Sequence, residues 1–243
     1  MAVAVSGGKK MRLDKYLADM GVGTRSQVKE KIRKGLIQVN GQVVRTPEQK
    51  VNPQADQVSL DGKPIGYVEL EYYMLNKPQG VVSAATDRHY TTVVDLIDTK
   101  SRKDLYPVGR LDIDTEGLLL ITNDGDLTHR LLSPKKHVDK TYYVETDLPI
   151  PTDAGERFAA GVTLEDNTLT MPAKWELLTK NSGRLTIQEG KFHQVKRMFA
   201  ALGVTVTFLK RLTMGPLQLD PALETGAFRP LTKEELQQLK ELG

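Results

Sequence analysis

The run Gly109-Arg110-Leu111-Asp112-Ile113-Asp114-Thr115-Glu116-Gly117 sets an Arg and an Asp two positions apart between glycines, directly ahead of the apolar stretch Leu118-Leu119-Leu120-Ile121. A loop that feeds a buried strand is where a rigid scaffold presents reactive groups, and a carboxylate there can serve as nucleophile or base. Asp-rich turns ahead of strands are also ordinary structural features, so these residues alone leave both readings open. Cleavage of a glycosidic bond needs two carboxylates about 5 to 9.5 Å apart, and Asp114 or Glu116 could complete such a pair with Asp112. Composition removes other chemistries. The absence of Cys excludes disulfides, thiolate zinc sites, iron–sulfur clusters and cysteine nucleophiles, and fits a cytoplasmic protein. The scattered His89, His129, His137 and His193 lack H-x-H or H-x-x-x-H spacing and speak against a dedicated metal site.

The chain that must position Asp112 has 243 residues, 39% hydrophobic and 27% charged, enough for two modest soluble domains. Its longest greasy run, Gly117 to Ile121, is far too short to span a bilayer. Met1 to Lys10 lacks the apolar centre of a signal peptide and reads as a disordered tail, with Met11 as the expected natural start. Charge is uneven. Residues 1–68 carry 12 Lys and Arg against 6 Asp and Glu, whereas residues 69–243 carry 22 against 25, which points to a polyanion-binding module joined to something else.

Leu13, Tyr16, Leu17 and Met20 fall at i, i+3, i+4 and i+7 and predict an amphipathic helix with its charges on the opposite face. Thr24-Arg25-Ser26-Gln27 is a capping box opening a second helix, Val28 and Ile32 supply its apolar stripe, and Gly35 ends it. Arg25, Lys29, Lys31, Arg33 and Lys34 crowd this one helix. Asn40-Gly41 and Asp61-Gly62 mark two tight hairpins beyond it. From Tyr72 the texture changes to short strands mixed with helices. Strands are expected at residues 72–75, 81–83, 118–122, 141–146, 184–188 and 204–209, and helices at 92–97, 126–132, 153–160, 191–202 and 233–242. Their irregular spacing predicts an α+β domain on a mixed, largely antiparallel sheet.

Over residues 11–68 the helix–helix–hairpin pattern, with Arg12-Leu13-Asp14-Lys15-Tyr16-Leu17, Thr24-Arg25-Ser26 and Val39-Asn40-Gly41, resembles the small S-four-like RNA-binding domain. Gly-Arg-Leu-Asp-x-x-Thr-x-Gly-Leu-Leu from Gly109 resembles the active-site motif of RNA pseudouridine synthases. Three further segments agree: Asn76-Lys77-Pro78-Gln79-Gly80, Lys140-Thr141-Tyr142-Tyr143-Val144 and Glu189 to Met198. The resemblance runs from about Met11 to Thr232 and is nearest to the ribosomal small-subunit branch, with 69–243 as the catalytic domain.

That resemblance implies isomerisation of a uridine in small-subunit rRNA without cofactor or metal. The chain is expected to act as a monomer, and on a partly assembled particle, because a uridine locked in mature packing costs more to extrude. It makes Asp112 the catalytic carboxylate, as nucleophile or base, and leaves Asp114 and Glu116 as turn and cap residues. Lys196 matches the family's basic residue, since a cation within about 4 to 6 Å favours a charged carboxylate. Tyr142 matches the aromatic that stacks on the target uracil, with Leu185 or Ile187 walling the other side. Arg110 would enter the base stack when the uridine flips out. His193 and Arg197 are assigned to RNA binding, as are Arg25, Lys29, Arg33 and Lys34. The rival from another class is a non-catalytic rRNA-binding assembly factor, and a weaker one is a nucleoside or glycoside hydrolase. The joint presence of Asp112, Tyr142 and Lys196 opposes the first, and a basic module suited to a polymer opposes the second.

Overall fold

The computed structural model describes residues 10–133 and 136–242, so the expected tail lies outside the described residues apart from Lys10. The chain forms two compact units. One ends at Glu71 and also takes in Thr99–Asp104; the other comprises Tyr72–Asp98 and the chain from Leu105 onward. Among the described residues no helix is long and apolar enough to cross a membrane.

In the first unit β1 (Met11–Arg12) pairs with β4 (Lys50–Val51), flanking α1 (Leu13–Asp19) and α2 (Arg25–Arg33). Thr24 and Gln27 close the expected capping box. The strands β2 (Ile37–Val39), β3 (Gln42–Val44), β5 (Val58–Leu60) and β6 (Lys63–Ile65) form a sheet of order β3-β2-β5-β6. Its hairpins turn on Asn40-Gly41 and Asp61-Gly62, all four with positive φ, as a type I′ turn requires. Leu13, Tyr16, Leu17, Val28 and Ile32 are buried against this sheet's inner residues. Asp14 departs from the amphipathic expectation: it is buried, and Arg12 donates to both its oxygens at 3.0 and 2.8 Å, which lowers its pKa. Thr99–Asp104, read from sequence as part of the catalytic domain, belongs to this unit through Arg102. That buried guanidinium reaches Asp104, Tyr67 Oη, the Val68 carbonyl and Asp19.

The second unit is built on a nine-stranded sheet of order β11-β12-β10-β13-β9-β7-β15, with β14 on β13 and β8 on β9. These strands are β7 (Tyr72–Lys77), β8 (Tyr106–Pro107), β9 (Glu116–Thr122), β10 (Lys140–Thr146), β11 (Lys174–Thr179), β12 (Ser182–Ile187), β13 (Val206–Met214), β14 (Leu217–Gln218) and β15 (Phe228–Pro230). All pairings are antiparallel except β9 with β13. Leu119 and Ile121 join one apolar cluster, Leu118 and Leu120 another, so alternate residues of β9 feed cores on opposite faces of the sheet. Cover on both faces explains why this strand reads as an unbroken apolar run. Helices α3 (Gly125–Leu132), α4 (Ala154–Ala160), α5 (Gln194–Ala200) and α6 (Lys233–Glu241) complete the unit.

Two expected elements are absent. Residues 92–97 form successive turns, not a helix, because Asp95 accepts from Thr92 N and Oγ1 while Val93 N donates to Val82. Val82 in turn makes only an isolated bridge to Thr92 where a strand over 81–83 was expected. The edge strand β11 escaped the sequence reading because most of its residues are exposed, which erases the alternation that marks a strand. β13 runs past Leu209, where the expected strand ended, to Met214 and carries a buried Arg211.

Candidate active site

The loop from Gly109 to Thr115 joins β8 to β9 and is held from beneath. Lys77, at the end of β7, is fully buried, and its Nζ donates to the carbonyls of Asp112 (3.0 Å), Thr115 (2.9 Å), Ile113 (3.4 Å) and Pro78 (3.0 Å). Burial pushes the Lys77 pKa down to about 8, against the pull of Asp114, Asp112 and Glu116. Ser83 Oγ donates to the Leu111 carbonyl and accepts from its N–H, at 2.8 and 3.0 Å. Gly80 N donates to Ile113 O, and Leu111 plugs into the core. These bonds fix the loop's backbone and leave the Asp112 carboxylate about one-quarter exposed.

Gly117 seats the start of β9 beside β13. Its φ is +103°, and a Cβ there would lie 2.3 Å from the Arg211 carbonyl oxygen, so only glycine permits this close parallel pair. Lys77 stands opposite Gly117 on one side and Arg211 on the other, both buried.

The carboxylate faces a cleft lined by Arg110, Tyr142, Ile187, His193 and Lys196 among others. Lys196 Nζ lies 3.3 Å from Asp112 Oδ2 and 2.5 Å from Asp114 Oδ1. Asp114 thus shares the lysine, whose hydrogen bond lowers the Asp114 pKa. It is more than the turn residue expected from sequence. His193, assigned to RNA binding, has Nε2 3.5 Å from Asp112 Oδ1. Helix α5 begins after it, not at Lys191 as expected, because His193 adopts a left-handed conformation with φ of 46°.

Tyr142 lies on β10 between Leu185 of β12 and Arg211 of β13 and turns its ring into the cleft, almost fully buried. Tyr143 points the other way and hydrogen-bonds Glu145. Of the two wall candidates, Ile187 lines the cleft, whereas Leu185 lies wholly in the core and does not. Arg110 is exposed at the cleft's edge. Arg197, expected to contact RNA, has its guanidinium held by Glu165 and Asp166 at 2.5 and 2.6 Å. That pairing brings the Asp166 pKa down to about 2. On α2, Arg25 and Arg33 are exposed, Lys34 pairs with Glu30 at 2.6 Å, and Lys29 lies 4.0 Å from Asp14. Sequence reasoning quoted Lys77 inside its motif without a role; a lysine ahead of Pro gives no local sign that its ammonium will be buried under another segment.

A tethered acidic loop over a two-faced mixed sheet, with a cation beside its carboxylate and a tyrosine lining the same cleft, is an arrangement suited to acid–base or nucleophilic chemistry on a bound group. The RNA pseudouridylate synthase model matches residues 71–201, and the S4 domain model matches residues 11–58. The chain is 48% identical to the uncharacterized RNA pseudouridine synthase YtzG of Bacillus subtilis (strain 168), over 95% of this chain and 99% of that one. It is 44% identical to ribosomal small subunit pseudouridine synthase A of Escherichia coli (strain K12), over 93% and 98%. A pseudouridylate synthase crystal structure matches with a TM-score of 0.67 at 40% identity, covering 94% of this chain and 99% of that one. The chain belongs to the RNA pseudouridylate synthase family, and it carries an S4 domain ahead of the synthase domain.

Proposed function

We propose that this synthase isomerises one uridine of small-subunit rRNA in the cytoplasm, acting as a monomer on a partly assembled particle. The uridine's N1–C1′ bond breaks, the uracil turns, and a C5–C1′ bond forms while the C5 proton departs and N1 gains one, so no co-reactant is consumed. Asp112 is the catalytic carboxylate. Attack on the ribose and removal of a ribose proton both need it charged and still, and the Lys77 tether with Lys196 at 3.3 Å supports that role. Tyr142 stacks on the uracil, Ile187 borders the same pocket, and Arg110 fills the gap left in the RNA stack. Small-subunit specificity rests on the relatives that carry that name. A partly assembled substrate follows from the cost of extruding a base, which rises once mature tertiary contacts lock it in place.

The observation that carries this reading is the meeting of Asp112, Lys196 and Tyr142 in one cleft. The test is a pseudouridine map of small-subunit rRNA from cells lacking the gene, complemented with wild type or Asp112→Asn. One missing site, restored by the first and not the second, is expected. A map that Asp112→Asn restores fully would falsify the assignment of Asp112, and activity confined to large-subunit rRNA or tRNA would overturn the substrate.

A further inference from the structure

Phe192 is the most exposed large apolar side chain among the described residues, with 73% of its surface open to water. Its chain neighbours Lys191 and His193 line the Asp112 cleft, and its own ring lies face to face with the His193 imidazole, centroids 3.7 Å apart and planes within 23°. His193 in turn touches Asp112 at 3.5 Å. One face of the phenyl ring is thus covered by His193, and most of the rest of the side chain is open to water.

The position is held and not merely tolerated. His193 sits in the left-handed region, an unfavourable place for a side chain with a Cβ, at the bend ahead of α5 where the two rings stack. Arg197 Nη1 donates to the Phe192 carbonyl, and Glu165 and Asp166 lock that guanidinium in place. No apolar cluster of the core includes Phe192, so folding makes no use of the ring.

We propose that Phe192 is the stacking platform for the nucleotide adjacent to the target uridine, extending the His193–Phe192 stack by one base and holding the strand while the uridine enters the cleft. The inference rests on the reading of that cleft as the uridine site. A nucleobase suits the exposed ring because every base offers a π-face of similar size, which makes the contact tolerant of sequence.

The test compares Phe192→Ala, Phe192→Leu, Phe192→Tyr and the wild type on partly assembled small-subunit particles, following pseudouridine formation. Loss of the platform is expected to raise KM by about 5- to 100-fold, the range of one base–aromatic stack, while kcat changes by less than about 3-fold. Tyr restores the wild-type KM and Leu does not, although Leu is apolar and of comparable bulk. In parallel, an RNA oligonucleotide carrying fluorescent aminopurine beside the target uridine is quenched by wild type, by Phe192→Tyr and by Asp112→Asn, but not by Phe192→Leu. Wild-type KM and quenching in Phe192→Leu would overturn the platform while leaving the synthase reading intact. An inactive wild type on every RNA would overturn the reading of the cleft and the platform with it.

Discussion

At the scale of residues, the site turns on one lysine shared between two carboxylates. Lys196 is nearer Asp114 than Asp112, yet only Asp112 lines the cleft. Lys196→Met should therefore lower single-turnover rates by about 100-fold or more, the scale set by loss of a preorganised charge. Asp114→Asn should stay within about 3-fold of wild type, because it frees the lysine for Asp112. The reverse ranking in rapid-quench assays would mean that Asp114 carries the chemistry. Lys77 supplies a second test through pH. Its folded pKa of about 8 lies below the ordinary 10.5, so between those values the unfolded chain holds a proton that the native chain has shed. Stability then gains from this group as pH rises through the window, and nothing from it at lower pH, where both states are charged. Denaturant midpoints from pH 7 to 10.5 should show that upward contribution in wild type relative to Lys77→Met, with the gap between the two widening. A constant gap would show that Lys77 keeps its proton throughout.

At the scale of elements, the parallel pair of β9 and β13 places the loop that carries Asp112. Gly117→Ala would drive a Cβ into the Arg211 backbone at a φ that L-residues avoid. The two effects together should cost about 2 kcal/mol or more, and the variant should lose activity further than stability alone explains, because the loop moves with the strand. Gly80→Ala is the control: its φ is also positive, but a Cβ there meets nothing within 4 Å, so only the conformational cost of about 1 kcal/mol remains. Equal urea midpoints for the two variants would remove steric contact with Arg211 as the reason for glycine. The end of β13 was the least legible part of this arrangement. Lys210 and Arg211 lie beyond the strand expected at 204–209, and only the folded sheet shows Arg211 buried with its Nε donating to Leu118 O.

At the scale of the whole molecule, excess positive charge is confined to the first unit while the catalytic motifs lie in the second. Deleting residues 1–68 should leave a folded synthase domain whose affinity for rRNA is weaker and falls less steeply with salt, because the exposed charges of Arg25, Arg33 and the rest of this basic segment are removed. Filter-binding titrations over a range of salt check this, and an unchanged slope would show that α2 does not dock RNA. The same deletion removes Asp19, Tyr67 and Val68 from around Arg102. Amides of residues 99–104 should therefore lose hydrogen-exchange protection, while those of β9 and β10 keep theirs.

By itself the sequence determined what depends on neighbours along the chain. The capping box at Thr24, the Asn40-Gly41 and Asp61-Gly62 turns, the apolar period of α1 and the ordered motifs around Asp112, Tyr142 and Lys196 are all local patterns, governed by dihedral preference and side-chain spacing. Tertiary structure alone decided what depends on segments far apart in sequence. Lys77 reaches its carbonyl partners from 35 residues before Asp112, and Lys196 comes to Asp114 from 82 residues beyond it. Arg197 is taken by Glu165 and Asp166, and Thr99–Asp104 returns to the first unit. None of these pairings leaves a mark on its own stretch of chain, because a buried charge is stabilised by partners that only closure of the sheet brings within reach.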